Sequence, residues 1–226
     1  MRMLATLFAA LLMAAPALAA DKPPAWTGCH IAAHVGYSIA EHDTTLAVPG
    51  FAGVNLDSLS ASGAGLGGGV GCYLRLSNAP IVVGAWADWS WRDLEQSNTL
   101  TLGGFTAGTR YAVEDAWAVG ARAGVLINDA TLLYALAGYT EARTSSLTVT
   151  AGGGGGSIGM PDLSGWLVGG GLETQLGSGW ALRAEYRYAR YDGETVALIP
   201  GALNLDLDTS EHTARIGAIW RLSILE

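Results

Sequence analysis

The sequence predicts an all-β fold, an eight-stranded antiparallel transmembrane β-barrel, and three observations predict it. A period-two alternation of apolar and polar residues recurs along nearly the whole chain. Half of the residues are hydrophobic and mean hydropathy is +0.30, yet past the N-terminus no apolar run approaches the ~20 residues that a membrane-crossing helix needs. The connections between alternating segments are short and long by turns, the pattern of a membrane barrel with tight turns on one side and loops on the other.

The N-terminal residues read as an export signal. Arg2 supplies a positive charge, LATLFAALLMAA an apolar stretch, and Ala17, Leu18 and Ala19 a small-x-small cleavage site, which together mark residues 1–20 as a signal peptide cut after Ala19 or Ala20. No cysteine follows for lipid attachment. Residues 21–226 are then a single domain of about 205 residues, an ordinary size for one barrel. Removing the signal deletes Arg2 and no acid, so the remaining chain is more acidic than the formal charge of −8 of the whole. That sign disfavours nucleic acid as a partner.

Eight segments follow in order, at 28–40, 60–76, 81–93, 109–126, 130–143, 162–176, 180–192 and 209–224. The pattern is plainest in WALRAEYRYARY from Trp180 to Tyr191, where Trp180, Leu182, Ala184, Tyr186 and Tyr188 alternate with Arg183, Glu185 and Arg187. Successive side chains of a strand point to opposite faces, so this segment has one apolar and one charged face. A helix would scatter those charges. Short connections fall at 77–80, at Ile127, Asn128 and Asp129, and at Gly177, Ser178 and Gly179. Long ones cover 41–59, 94–108, 144–161 and 193–208. With long loops outside the cell, both termini lie in the periplasm.

Aromatic residues support that orientation. Trp89, Trp91, Tyr111 and Trp166 are expected on the lipid-facing register near the outer ends, and Trp180, Trp220 and Tyr134 near the periplasmic ends, as two girdles. The glycine run from Ala151 to Met160 lacks the GK[ST] of a phosphate loop and reads as a loop.

At this point the residues carry a family resemblance. WTGCHIAAHVGYS (26–38), GWLVGGGLE with GWALRAEYRYARYD (165–192), and HTARIGAIW (212–220) resemble alphaproteobacterial outer-membrane proteins of the Omp25/Omp31 type, within the opacity-like porin family. The resemblance covers essentially all of the mature chain. It implies an eight-stranded outer-membrane barrel linked to envelope integrity, host contact and weak pore activity. Three departures stand out: the chain ends Leu225 and Glu226 rather than in an aromatic, Cys29 stands where relatives carry an aromatic, and Trp86 takes an inward position that often holds a polar residue.

Carried through every strand, the alternation gives an inward set: His30, His34, Arg75, Asp88, Arg92, Arg110, Glu114, Arg122, Glu141, Arg143, Glu173, Arg183, Glu185, Arg187, Arg215 and Arg221. An eight-stranded barrel has an interior just wide enough for side chains to fill. Charges in such a space must pair, because an isolated buried ion costs several kcal/mol. Arginine, whose fork meets carboxylates at two points, suits the task better than lysine, and Lys22 is the one lysine of the chain. The expected product is an interlocked polar plug; a narrow charge-lined pore is its competitor.

Catalysis is weighed and not expected. His42 with Asp43, and Ser210, Glu211 and His212, are suitable residue types, but Ser210 and His212 share a face that Glu211 cannot join. His30 and His34 lie four residues apart on one strand, about 13 Å, too far for one metal ion. No cofactor is expected. The long loops and their margins carry Glu41, Asp43, Asp57, Glu95, Asp162, Glu194 and Asp206, an acidic outer face with outer-membrane lipid, lipopolysaccharide, or a host or surface ligand as expected partners. The reading is a non-catalytic envelope barrel; its alternatives are a small diffusion pore and a lipid-modifying enzyme. Finally, Cys29 and Cys72 fall at similar depth on neighbouring strands, both on the outward face, where a directly opposed pair could bridge. Two separate thiols remain the alternative.

Overall fold

The computed structural model describes residues 26–47, 54–76, 79–102, 105–144, 147–151, 154–158, 162–199 and 203–222, with side chains for 26–41, 60–76, 79–92, 115–143, 162–192 and 209–222. The strands are β1 (Gly28–Ala47), β2 (Val54–Arg75), β3 (Ile81–Leu102), β4 (Phe105–Asn128), β5 (Thr131–Thr144), β6 (Leu147–Ala151), β7 (Gly154–Ile158), β8 (Leu163–Gly177), β9 (Trp180–Ile199) and β10 (Leu203–Arg221). Eight of them, all but β6 and β7, form a closed antiparallel ring in which β10 pairs with β1. Closure gives every backbone N–H and C=O of the cylinder a neighbour, which hydrocarbon could not supply. The signal segment 1–20 and the terminal Leu225 and Glu226 lie outside the described residues.

The eight barrel strands coincide with the alternating segments of the sequence. The long connections do not remain loops, however. The β1 ladder continues to Leu46 opposite Val54, and β3 stays paired with β4 out to Leu102 opposite Phe105. The sequence of these extensions lacks the sustained apolar alternation of the barrel segments, so the backbone pairs without a period-two pattern to announce it. The small hairpin β6–β7 adds to the same side, β6 pairing with Ala107–Arg110 of β4. Register shifts mark the passage from cylinder to extension, at His42/Thr44, Trp91/Leu94, Val113/Asp115 and Leu207/Thr209. Bulges concentrate at barrel rims for this reason: the extra residue re-aims the strand.

At the opposite end the connections are tight. Gly177 and Gly179 take φ of 94° and 82° around Ser178, a left-handed run that glycine enters without a Cβ penalty. The outward face carries Ile31, Val35, Leu66, Val70, Val119 and Ile216, all exposed. Trp180 packs edge-on against Trp220 near the tight turns, while Trp117 against Tyr139 and Trp166 against Tyr188 band the far end. Tyr134 is not in either band. It points inward and is 4% exposed, because β5 is apolar on both faces and apolarity alone could not fix its orientation. Tyr111 has its side chain outside the described residues.

Candidate functional site: the charged interior

The inward residues form three tiers between the tight turns and the far rim. In the tier nearest the turns, Glu173 of β8 is fully buried. It accepts from Arg183 Nη2 at 2.9 Å and Nε at 3.2 Å, from Arg221 at 3.4 Å and from the Tyr73 hydroxyl. Tyr73 in turn accepts from Arg122 at 2.9 Å and Arg183 at 3.0 Å. Arg122 stands 4.0 Å from Glu173 and lies over the rings of Tyr73, Trp86 and Tyr134, so aromatic faces offset part of its desolvation. His30 stacks on Tyr73 and meets Arg183 at 3.2 Å. Gly71 opposite leaves room for that ring: a Cβ there would come within 2.7 Å of it.

The middle tier is a square of two carboxylates and two guanidiniums. Glu185 accepts from Arg187 at 2.6 Å, from Arg215 Nε at 2.7 Å and from the Tyr134 hydroxyl at 2.6 Å. Asp88 accepts from Arg187 at 2.6 Å and Arg215 at 2.9 Å. Each arginine thus spans both acids, the geometry in which a guanidinium fork outperforms an ammonium. His34 joins through Ser90 at 3.0 Å and Arg215 at 3.3 Å. Trp86 donates to the Ala121 carbonyl at 3.3 Å and carries Arg187 on its ring. In the far tier Arg92 bonds Glu211, which also accepts from Tyr191 at 3.0 Å and Thr213 at 2.8 Å.

Trp26 closes the turn-side mouth. It is 1% exposed, donates from its indole to the Asp129 carbonyl at 2.9 Å, and lies under the Arg221 guanidinium. Small cavities lie among the described interior residues. One of about 30 Å³ lies between the middle and far tiers beside His34, Ser90, Arg92 and Glu211, and one of about 10 Å³ beside Arg183 and Arg215. Spaces of this size hold about one water molecule.

Most of the residues assigned inward are found in these tiers, with corrections at Glu141, Arg143 and Arg75. Glu141 and Arg143 face outward: β5 buries Leu132, Leu136, Thr140 and Ala142, so its odd positions lie on the outside. Arg143 has an exposed side chain 3.9 Å from Asp115 and lies over Trp89. The charges at the end of an otherwise apolar strand sit beyond the hydrocarbon band, where facing outward costs little. Arg75 is exposed at the mouth, with its backbone N–H on Thr27. Arg110 and Glu114 have side chains outside the described residues, as do His42 and Asp43.

Several members of the tiers were not assigned to the interior in the sequence: Trp26, Tyr73, Tyr191 and Glu211, together with Tyr134, which was expected in the periplasmic girdle. For Tyr191 and Glu211 the signal was present, since each shares parity with an inward arginine on its strand, Arg187 and Arg215. Glu211 points in, while Ser210 and His212 point out. A disulfide joins Cys29 to Cys72, directly opposed in the β1–β2 register. Among the described residues no group of three or more His, Cys, Asp or Glu could hold a metal ion.

Comparison with solved structures finds several barrels. Ail, the attachment invasion locus protein of Yersinia pestis, solved with the heparin analogue sucrose octasulfate, shares 17% identity over 84% of this chain and 99% of its own, with a TM-score of 0.38. Neisserial surface protein A shares 13% over 84% and 97%, with a TM-score of 0.40. The outer membrane protease OmpT from Escherichia coli shares 11% over 92% and 100%, with a TM-score of 0.42. No curated protein matches the chain. The family model of the outer membrane protein beta-barrel domain matches residues 5–221. An alternating chain closed into an eight-stranded ring, apolar outside and charged within, therefore belongs to the outer membrane protein beta-barrel domain family and is a protein of the outer membrane.

Proposed function

We propose that this barrel is a sealed, non-conducting envelope protein of the Omp25/Omp31 type whose interior serves stability and carries out no reaction. The observation that carries the reading is the filling of the interior: three tiers of paired side chains leave cavities of about 30 and 10 Å³, and neither is wide enough to pass a hydrated solute. Every inward carboxylate of the tiers has at least one arginine partner, so opening a path would mean breaking charge pairs that cost several kcal/mol to leave buried and alone. Both termini lie in the periplasm, and the paired extensions carry the acidic segments outside, toward lipopolysaccharide or a host or surface ligand.

Conductance in a planar bilayer tests the reading. The refolded barrel is expected to give no steady channel at any polarity, and a variant with Arg187 and Arg215 both changed to Ala is expected to stay closed as well, because the Glu173 and Glu211 tiers remain on either side of the altered one. Stable unitary steps from the unaltered protein would replace the plug with the pore.

A further inference from the structure

The last outward row before the register shifts at the far rim is Trp91 of β3, Asp115 of β4 and Arg143 of β5, register partners in that order. One row nearer the membrane centre stand Trp89, Trp117 and Glu141, and below them Val119, Tyr139 and Trp166. Hydrogen bonding in this patch is incomplete. The exposed Arg143 stands 3.9 Å from Asp115 and over the ring of Trp89, and its guanidinium makes no hydrogen bond to another described residue. Asp115 Oδ1 and the Trp89 indole nitrogen are covered, and neither has a hydrogen-bond partner among the described residues.

A covered donor or acceptor left without a partner costs about 1–3 kcal/mol, so these groups point to a ligand from outside the chain. Both have Arg143 as a neighbour, a long side chain that no hydrogen bond anchors and that can turn to admit one. The surface beneath supplies the second half of the site. One row below Val119 and Tyr139 the outer face is hollowed, with Ala85, Ala121, Ala123, Ala135 and Ala137 lining a trough of about 700 Å³. Unsatisfied polar groups among interfacial aromatics, over an apolar trough on the lipid-facing wall, match a molecule with a polar head and a hydrocarbon tail.

We propose that this rim seats the phosphorylated glucosamine head of lipid A, with an acyl chain descending past Val119 and Tyr139 into the alanine trough. The inference rests on the reading that the strand extensions lie outside the cell, where the leaflet is built of lipopolysaccharide. The Arg143 fork donates to a phosphate at two points, and the Trp89 indole N–H adds a third donor. Asp115 Oδ1 accepts from a hydroxyl or amide N–H of the sugar, and Glu141, one row in, is a second acceptor. Trp91, exposed beside Asp115, offers its indole face to the apolar face of the sugar ring. A headgroup of phosphate alone would meet the two carboxylates with no donor to give them.

Native mass spectrometry of the folded protein in detergent tests this, with diphosphoryl lipid A and phosphatidic acid as probes and the mobility of unboiled samples on gels to verify folding. The wild type is expected to retain lipid A about tenfold better than phosphatidic acid, the difference that one or two hydrogen bonds supply. Arg143→Gln should lower retention of both lipids about tenfold. Asp115→Ala should abolish the preference by lowering lipid A alone, Ala121→Leu with Ala137→Leu should lower both by filling the trough, and Arg75→Gln at the opposite mouth should change neither. Equal retention of the two lipids by the wild type overturns the proposal, as does a folded Arg143→Gln or Asp115→Ala that behaves as wild type. An epitope inserted between β6 and β7 and probed with antibody on intact cells tests the orientation separately. Labelling without lipid A retention overturns the site and spares the orientation; retention without labelling supports the site and overturns the orientation.

Discussion

Trp26 donates its indole N–H to the Asp129 carbonyl at 2.9 Å, a contact between residues 103 positions apart that crosses the barrel mouth from the start of β1 to the β4–β5 turn. The indole is covered on its inner side by Arg221, whose guanidinium carbon is 4.4 Å from the ring centroid. A residue ahead of the first strand thereby becomes part of the interior.

Trp26→Ala should destabilise the barrel by about 3–5 kcal/mol, the usual cost of truncating a buried tryptophan. Conductance should stay absent, because the Glu173 tier lies behind the mouth. Denaturant unfolding in lipid vesicles and a planar-bilayer recording of the same preparation check both halves.

Glu185→Ala removes the acceptor shared by Arg187, Arg215 and Tyr134. A loss of about 3–5 kcal/mol is expected, most of it the penalty of leaving guanidinium charge buried without its partner. Adding Arg187→Met to Glu185→Ala should restore part of the loss, and the double-mutant cycle measures how much.

Arg143→Ala and Arg187→Ala should separate the outside from the inside. Arg143 has a side chain 58% exposed and a long 3.9 Å pair with Asp115, worth under about 1 kcal/mol. Arg187 is buried and paired with two acids, so its removal should cost about 3–5 kcal/mol. Similar midpoint shifts for the two variants would contradict the outward placement of Arg143.

Alkylation without reduction should label neither Cys29 nor Cys72, and the intact mass should be two hydrogens below that of the dithiol. Cys72→Ser should still close the barrel, with a stability loss of about 2–4 kcal/mol for opening a cross-link that spans 43 residues.

Parity made most of the barrel legible in the sequence, wherever one face of a strand was clearly charged. On β9, Arg183, Glu185 and Arg187 fixed the inside, and the same count extends to Tyr191, which the sequence reading left unassigned. On β5 it failed, because Leu132, Tyr134 and Leu136 on one face match Leu133, Ala135 and Ala137 on the other in polarity. The charges of Glu141 and Arg143 then pointed to the wrong side. Which acid meets which arginine was also beyond parity. Glu185 lies between Arg183 and Arg187 on its own strand, yet Arg183 turns to Glu173 while Arg215 arrives from β10. Such choices depend on stagger between strands, which period two does not encode.

The bulges at the rim mark a change in the kind of surface the backbone presents. Below them the sheet has no edge, since β10 returns to β1. Above them β3, β4, β6 and β7 continue as an open sheet in which, among the described residues, β7 pairs on one side with β6. An unpaired strand edge is intolerable in hydrocarbon and affordable in water, which satisfies the exposed N–H and C=O groups. The chain gives up cylindrical closure once the solvent can take over the role of the missing neighbour. The same edge can accept an extended segment of another molecule, a recognition mode that uses main-chain hydrogen bonds and asks little of side-chain identity.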